Sequence, residues 1–260
     1  MSTVDAARRR DARGVIDALW ESADSEFKRS AVSREEGNLL RCLAAKAQVR
    51  RTIEVGFGNG VSSLYICSAL QGKEGVQHTA IDPFQTSDFH GRGVANLRGA
   101  GIDFFRLIEL PSEVALPQLL HDGERYDLAL IDGLHTADQT MVDFYYLDRL
   151  LRAGGFLVFD DVNARAVNKV ARYASTYPNY RLVDVSGRRG SPRRFVNTLK
   201  QGLSLALWPL RKLVGEAALR EFLDVSVVRP GMLWSLDFHT MAAFQKTGEY
   251  ARDTNWYDGL

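Results

Sequence analysis

From about residue 33 to residue 186, short apolar runs alternate with longer stretches whose apolar positions recur every three or four residues. The short runs at 51–55, 77–81, 104–110, 126–131, 155–159 and 180–185 predict strands. The stretches near 61–71, 88–99, 112–121, 137–152 and 163–176 predict helices. Ahead of the first strand, Ser33 with Glu36 three residues on is a capping-box signature, and Leu39, Leu40 and Leu43 follow at helical spacing. Leu128-Ala129-Leu130-Ile131 and Phe156-Leu157-Val158-Phe159 are apolar at every position, as in strands covered on both faces. Alternation at this pitch implies right-handed βαβ units. With a further strand candidate at 224–228, the prediction is a doubly wound α/β fold: a mostly parallel seven-stranded sheet with helices on both faces.

The rhythm breaks after residue 186. Residues 187–200 (GRRGSPRRFVNTLK) are basic and punctuated by Gly and Pro, and a helix is predicted around 201–222. Arg188, Arg189, Arg193 and Arg194 read most simply as a solvated loop. The tail from Pro230 carries Trp234, Phe238, Phe244, Tyr250, Trp256 and Tyr257, too many aromatics to leave in water. They are expected over the catalytic face or in a subunit interface, which leaves room for a homo-oligomer. Neither region is long enough to hold its own core, so residues 1–260 read as one domain. Its parts are N-terminal helices at 1–50, a ligand-binding core at 51–186, and C-terminal substrate or oligomer elements at 187–260.

Composition narrows the partners. Lys and Arg number 33 against 32 Asp and Glu, and a net charge of +1 selects no polyanion, so neither nucleic acid nor membrane is expected. No apolar run approaches the ~20 residues of a membrane span. The opening MSTVDAARRRDARG lacks the apolar stretch of a secretion signal. Cys42 and Cys67 both fall in helical patterns, which suits a reduced, cytoplasmic chain and rules out a cysteine-based metal site.

The sharpest chemical signal is Glu54-Val55-Gly56-Phe57-Gly58-Asn59-Gly60, directly after the first strand and opening a helix. Glycines there permit a tight turn and let a ligand approach the backbone, with helix N–H groups facing it. Val61 stands where the dinucleotide fingerprint has its third glycine, which argues against a nicotinamide enzyme. Asp82 ends the second strand, where a carboxylate can accept both hydroxyls of a ribose; the bland alternative is an Asp-Pro turn with Pro83. Asp132 ends the fourth strand, and Asp160 with Asp161 ends the fifth. Three clustered carboxylates repel one another unless a cation joins them, and oxygen ligands suit Mg²⁺ or a similar hard ion. Alternatively, one acid binds a ligand's ammonium while the others cap the next helix. His78, His90, His121 and His239 lack metal-ligand spacing and are expected at the surface or core edge; Asp138, Asp143 and Asp148 are expected on a solvated helix face.

Several of these motifs, in this order, resemble the class I S-adenosylmethionine-dependent methyltransferases, in particular the catechol-type and antibiotic-tailoring, divalent-metal-dependent O-methyltransferases. The likeness rests on Ser33-Arg34-Glu35-Glu36-Gly37, the Glu54–Gly60 run, Asp82, Ser112-Glu113, Ile131-Asp132-Gly133-Leu134-His135 and Asp160-Asp161. It covers about 33–186. It implies a Rossmann-like methyltransferase fold, S-adenosylmethionine as cofactor and the hydroxyl of a small molecule as acceptor. Within the Glu54–Gly60 turn, it implies that Gly56 and Gly58, with Ser62, face the methionine part; Asp82 faces the ribose, and Ser112 with Glu113 the adenine. Asp132, Asp160 and Asp161 would hold the metal, expected to be Mg²⁺. The catechol enzymes usually have Asp-Asn where this chain has Asp160-Asp161, whereas the antibiotic-tailoring enzymes resemble it more. His135 stands at the position of the catechol enzymes' catalytic lysine. With Asp132 it forms the expected catalytic pair: imidazole is mostly neutral at pH 7 and can accept the hydroxyl's proton. Two other roles stay open for His135, metal ligand or start of the next helix. A cofactor-binding module or enzyme without metal dependence is the alternative for the whole chain.

Overall fold

Three of the predicted strands form over the residues expected, as β1 (Arg51–Val55), β2 (Gln77–Ile81) and β4 (Tyr126–Ile131). The structure, a computed structural model, describes residues 11–22, 31–188, 236 and 239–250. β3 (Phe105–Ile108) is shorter than its apolar run, while β5 (Leu151–Phe159) and β6 (Tyr180–Arg188) are longer. The helices are α1 (Ala12–Ser22), α2 (Arg34–Ala44), α3 (Val61–Leu70), α4 (Arg92–Gly99), α5 (Ser112–His121), α6 (Ala137–Leu150) and α7 (Arg165–Thr176). The capping box ahead of α2 is complete: the Ser33 hydroxyl accepts the Glu36 N–H at 3.3 Å, and the Ser33 N–H donates to the Glu36 carboxylate at 2.6 Å.

Among the described residues the sheet has seven strands in the order β3-β2-β1-β4-β5-β7-β6, with β7 running His239–Lys246. Pairing is parallel from β3 through β5, while β7 is antiparallel to both β5 and β6. The sheet is therefore mixed but mostly parallel, as expected of a Rossmann-like fold.

The seventh strand corrects the sequence reading. It lies in the stretch read as an aromatic tail, and Phe244, expected over the catalytic face or at an interface, is fully buried in the sheet's core. The run His-Thr-Met-Ala-Ala-Phe-Gln-Lys has weak strand propensity, so pairing with two neighbours, rather than local preference, makes it a strand. The candidate strand at 224–228, the helix at 201–222, Arg189, Arg193, Arg194, Trp234, Phe238, Trp256 and Tyr257 lie outside the described residues.

Both faces of the sheet are covered. Ala129, Ile131, Leu157, Phe159, Ala242 and Phe244 point into one core, shared with α5, α6 and α7. Their neighbours Leu128, Leu130, Phe156, Val158, Met241 and Ala243 point into the other, shared with α1 to α4. This two-sided burial is why the central strands read as unbroken apolar runs.

The helix face expected at Asp138, Asp143 and Asp148 does not exist. Residues five apart on an α-helix are turned by about 140°, so three of them cannot share one face. Asp138 is exposed, whereas Asp143 and Asp148 are buried. Tyr180 donates to Asp148 at 2.9 Å, and buried Lys246 donates to the carbonyls of Asp148 and Leu151 at 2.8 and 3.0 Å.

Candidate active site

The parallel strands end on one crevice. Gly56 N–H bonds the Ile81 carbonyl at 2.9 Å, Asp82 that of Ile108 at 3.1 Å, Asp132 that of Val55 at 2.9 Å, and Asp160 that of Ile131 at 3.0 Å. Each of these residues extends the ladder one step before the chain turns away, so their side chains collect at the carboxyl edge of the sheet. Strand order reverses there between β1 and β4, the place where open α/β sheets bind ligands. A cavity of about 1060 Å³ opens at this point. That is room for a nucleoside-bearing ligand and a small second molecule together.

The turn after β1 needs its first glycine. Gly56 has φ of +89°, and a Cβ there would lie 1.9 Å from the Asp132 carbonyl oxygen. Gly60 has φ of +74° and starts α3, packed against Leu97. Asp82 holds the turn from below: one carboxylate oxygen accepts the N–H of Phe57 at 3.0 Å and of Gly58 at 2.7 Å, the other that of Phe84 at 2.8 Å. Behind the turn, fully buried Glu54 accepts hydrogen bonds from the hydroxyls of Ser62, at 2.7 Å, and Ser63. The His78 Nε2 lies 3.2 Å from Glu54, and its Nδ1 lies 2.8 Å from the Thr52 hydroxyl. His78 is thus an interior residue and not a surface or edge one, because β2 pairs in register with β1 and sets it beside Thr52. Of the residues expected at the cofactor, Gly56, Gly58, Ser62, Asp82, Ser112 and Glu113 line the cavity; Glu54 and Gly60 do not.

The acids at the ends of β4 and β5 also line it, and the histidine joins them. Nε2 of His135 is 3.5 Å from an Asp132 oxygen and 3.5 Å from an Asp161 oxygen. One ligand atom from each of the three lies within 4.8 Å of the other two, a spacing that a single divalent ion can bridge. Asp160, expected in this set, stands outside it: it is buried, and its carboxylate accepts the Asp161 N–H at 2.8 Å. Asp161 has φ of +49°, uncommon for a residue with a side chain. Burial pushes the Asp132 carboxyl up to about 6, against the pull of His135. Burial, with Asp132, Glu36 and Asp161 close by, pushes Asp160 well above the carboxylate range. His135 is raised above its ordinary value chiefly by its hydrogen bond to Asp132. The corner is short of positive charge.

At the start of α5, a polar chain escaped the sequence reading. Ser112 donates to Asp143 at 2.6 Å, and the Gln139 amide donates to the Ser112 hydroxyl at 2.8 Å and to Glu113 at 3.1 Å. Thr240 and Glu36 were missed too, joined by a hydrogen bond on the cavity wall. Glu36 was legible only as a helix cap, and Thr240 stands 204 residues away on β7. Burial pushes the Asp143 carboxyl up to about 6. The folded chain therefore holds this proton more tightly than the unfolded chain, so the contribution favours folding at low pH and fades as pH rises from about 4 through 6. Asp143→Asn is expected to remove that slope, worth up to about 3 kcal/mol between pH 4 and pH 7. Urea midpoints of the two proteins across this range would diverge; parallel curves would contradict the assignment.

Known proteins similar to this chain in sequence or fold are methyltransferases. Residues 53–162 match the family model of a methyltransferase domain. A catechol O-methyltransferase of Mycobacterium tuberculosis is 26% identical over 187 residues, 66% of this chain and 82% of that protein. Further mycobacterial relatives, at 33–36% identity, are matched over 54–65% of their own length. The O-methyltransferase TomG of Streptomyces achromogenes, involved in tomaymycin synthesis and solved with S-adenosylmethionine, superposes with a TM-score of 0.54 at 21% identity. That match covers 66% of this chain and 80% of TomG. A Bacillus cereus O-methyltransferase solved with S-adenosylhomocysteine gives 0.52 at 16%, covering 65% and 89%. Residues 53–162 thus carry a methyltransferase domain, and the fold is that of the O-methyltransferases solved with S-adenosylmethionine or S-adenosylhomocysteine.

Proposed function

We propose that this enzyme transfers the methyl group of S-adenosylmethionine to a hydroxyl of a small molecule, with a divalent cation held by Asp132, His135 and Asp161. The observation that carries it is convergence: these three side chains meet on the wall of the cavity that the glycine turn and Asp82 border. The residues fit a cation on electrostatic grounds, since partly buried, mutually repelling carboxyls stand there with one imidazole as counterweight. A nitrogen in the set widens the choice from Mg²⁺ toward Mn²⁺ or Fe²⁺. When bound, such an ion supplies a Lewis acid that takes a substrate oxygen and lowers the pKa of its hydroxyl.

The chain's own residues do the rest. Gly56, Gly58 and Ser62 would face the methionine part, Asp82 the ribose, and Ser112 with Glu113 the adenine. A sulfonium methyl is already electrophilic, so what remains is alignment of the acceptor oxygen and removal of its proton. A second reading assigns that proton to His135, with Asp132 and Asp161 orienting the imidazole; the paired 3.5 Å contacts favour it. One lone pair on Nε2 cannot serve both roles. The placement of β7 inside the sheet supports the reading of 1–260 as one domain, with 1–50 as N-terminal helices, 51–186 as cofactor-binding core and 187–260 as substrate or oligomer elements. Among the described residues no helix is long and apolar enough to cross a membrane. The free thiols of Cys42 and Cys67 support a reducing, cytoplasmic setting.

Asp82→Ala tests the cofactor assignment. It removes both the ribose partner and the acceptor that ties down the turn at Phe57 and Gly58. Losing a charged hydrogen-bond partner is worth about 1.5–3 kcal/mol, so S-adenosylmethionine should bind at least tenfold more weakly in calorimetry. Unchanged affinity would take the ribose away from Asp82.

A further inference from the structure

Ser112 lines the cavity with its hydroxyl tied on two sides. A hydroxyl has one hydrogen and two lone pairs. Here the hydrogen goes to Asp143 at 2.6 Å, and one lone pair takes the Gln139 amide at 2.8 Å. What Ser112 has left is a single acceptor site. The other Gln139 amide hydrogen goes to the Glu113 carboxylate at 3.1 Å, and a carboxylate is again an acceptor. The side chains at this corner of the cavity therefore offer acceptors and withhold donors.

Asp143 sets that polarity. It sits on α6, fully buried, one carboxylate oxygen on Ser112 and the other with no hydrogen-bond partner. Burying a carboxylate with an oxygen unsatisfied is unfavourable, and an apolar side chain would pack there at less cost. What the carboxylate adds is direction: when ionised it can only accept, so the Ser112 hydrogen must point at it.

We propose that Asp143 is a positioning residue that holds Ser112 as a hydrogen-bond acceptor, so that the site takes a 6-aminopurine nucleoside and rejects a 6-oxopurine one. The proposal rests on the assignment of Ser112 and Glu113 to the adenine end of the cofactor. Adenine presents an amino donor at position 6, whereas hypoxanthine presents a carbonyl acceptor there, which would face acceptors.

The test compares S-adenosylhomocysteine with S-inosylhomocysteine by titration calorimetry on the full chain. Wild-type protein is expected to prefer the adenosyl compound by about tenfold or more. Asp143→Ala frees the Ser112 hydrogen to turn toward the ligand, so the preference should narrow severalfold. A general loosening of the site would weaken both ligands alike and leave their ratio unmoved. Ser112→Ala, at a helix start where alanine is well tolerated, should narrow it equally, and the double variant should add nothing further. A preference that survives in Asp143→Ala or in Ser112→Ala overturns the role of Asp143 while leaving the methyltransferase reading intact. Wild-type protein that binds neither compound overturns both.

Discussion

Chelation with EDTA is expected to abolish methyl transfer, and added Mg²⁺ or Mn²⁺ to restore it. Asp132 and Asp160 are held above the usual carboxylate range by burial, and Asp161 adds a third carboxyl to the same corner. An ion bridging Asp132, His135 and Asp161 relieves that repulsion and uses three ligand atoms within 4.8 Å of one another. Asp161→Asn is the cleanest variant, because asparagine tolerates the φ of +49° better than alanine does while losing the charge. It should weaken cation binding more than tenfold and leave the thermal midpoint within a few degrees. Asp160→Asn should be milder, since Asp160 stands outside the group. Full activity in metal-free buffer would move these acids to substrate-binding or helix-start roles.

His135→Ala is expected to lower kcat by roughly 10²–10⁴-fold while S-adenosylmethionine affinity stays near wild type. The imidazole pairs with Asp132 and Asp161 and not with Asp82 or the turn that Asp82 ties down, so cofactor binding has no reason to change. Cation affinity separates the two readings of this residue. As a ligand, His135 takes metal affinity down with it, and extra metal recovers part of the rate. As the proton acceptor, it leaves metal affinity intact, and no amount of metal rescues turnover. Wild-type kcat in the variant would exclude both.

The residues of the site were unevenly legible, for a physical reason. Gly56, Asp82, Asp132 and Asp161 stood out because strand ends in a parallel sheet deliver their next residue to one edge, and strand ends can be found from apolar runs. Asp143, Gln139 and Thr240 carried no such signal. Gln139 reaches the cavity from the first turn of α6 and Thr240 from β7, while Asp143 meets Ser112 from the interior of α6; only the packing of those elements brings them there. Nor did any sequence pattern show that His135 meets Asp132 and Asp161 to the exclusion of Asp160.

By itself the sequence determined the α/β alternation, the glycine turn after β1 and the acids at the carboxyl ends of β2, β4 and β5. These follow from period-two and period-3.6 patterning and from the conformational freedom that only glycine has. The tertiary structure alone decided that His239–Lys246 is a strand, inserted antiparallel between β5 and β6. It also decided that Asp143, Asp148, Lys246 and His78 are buried beside polar partners. Local propensity is weak in that strand, and a charged residue reads as exposed until a distant element supplies its hydrogen bonds.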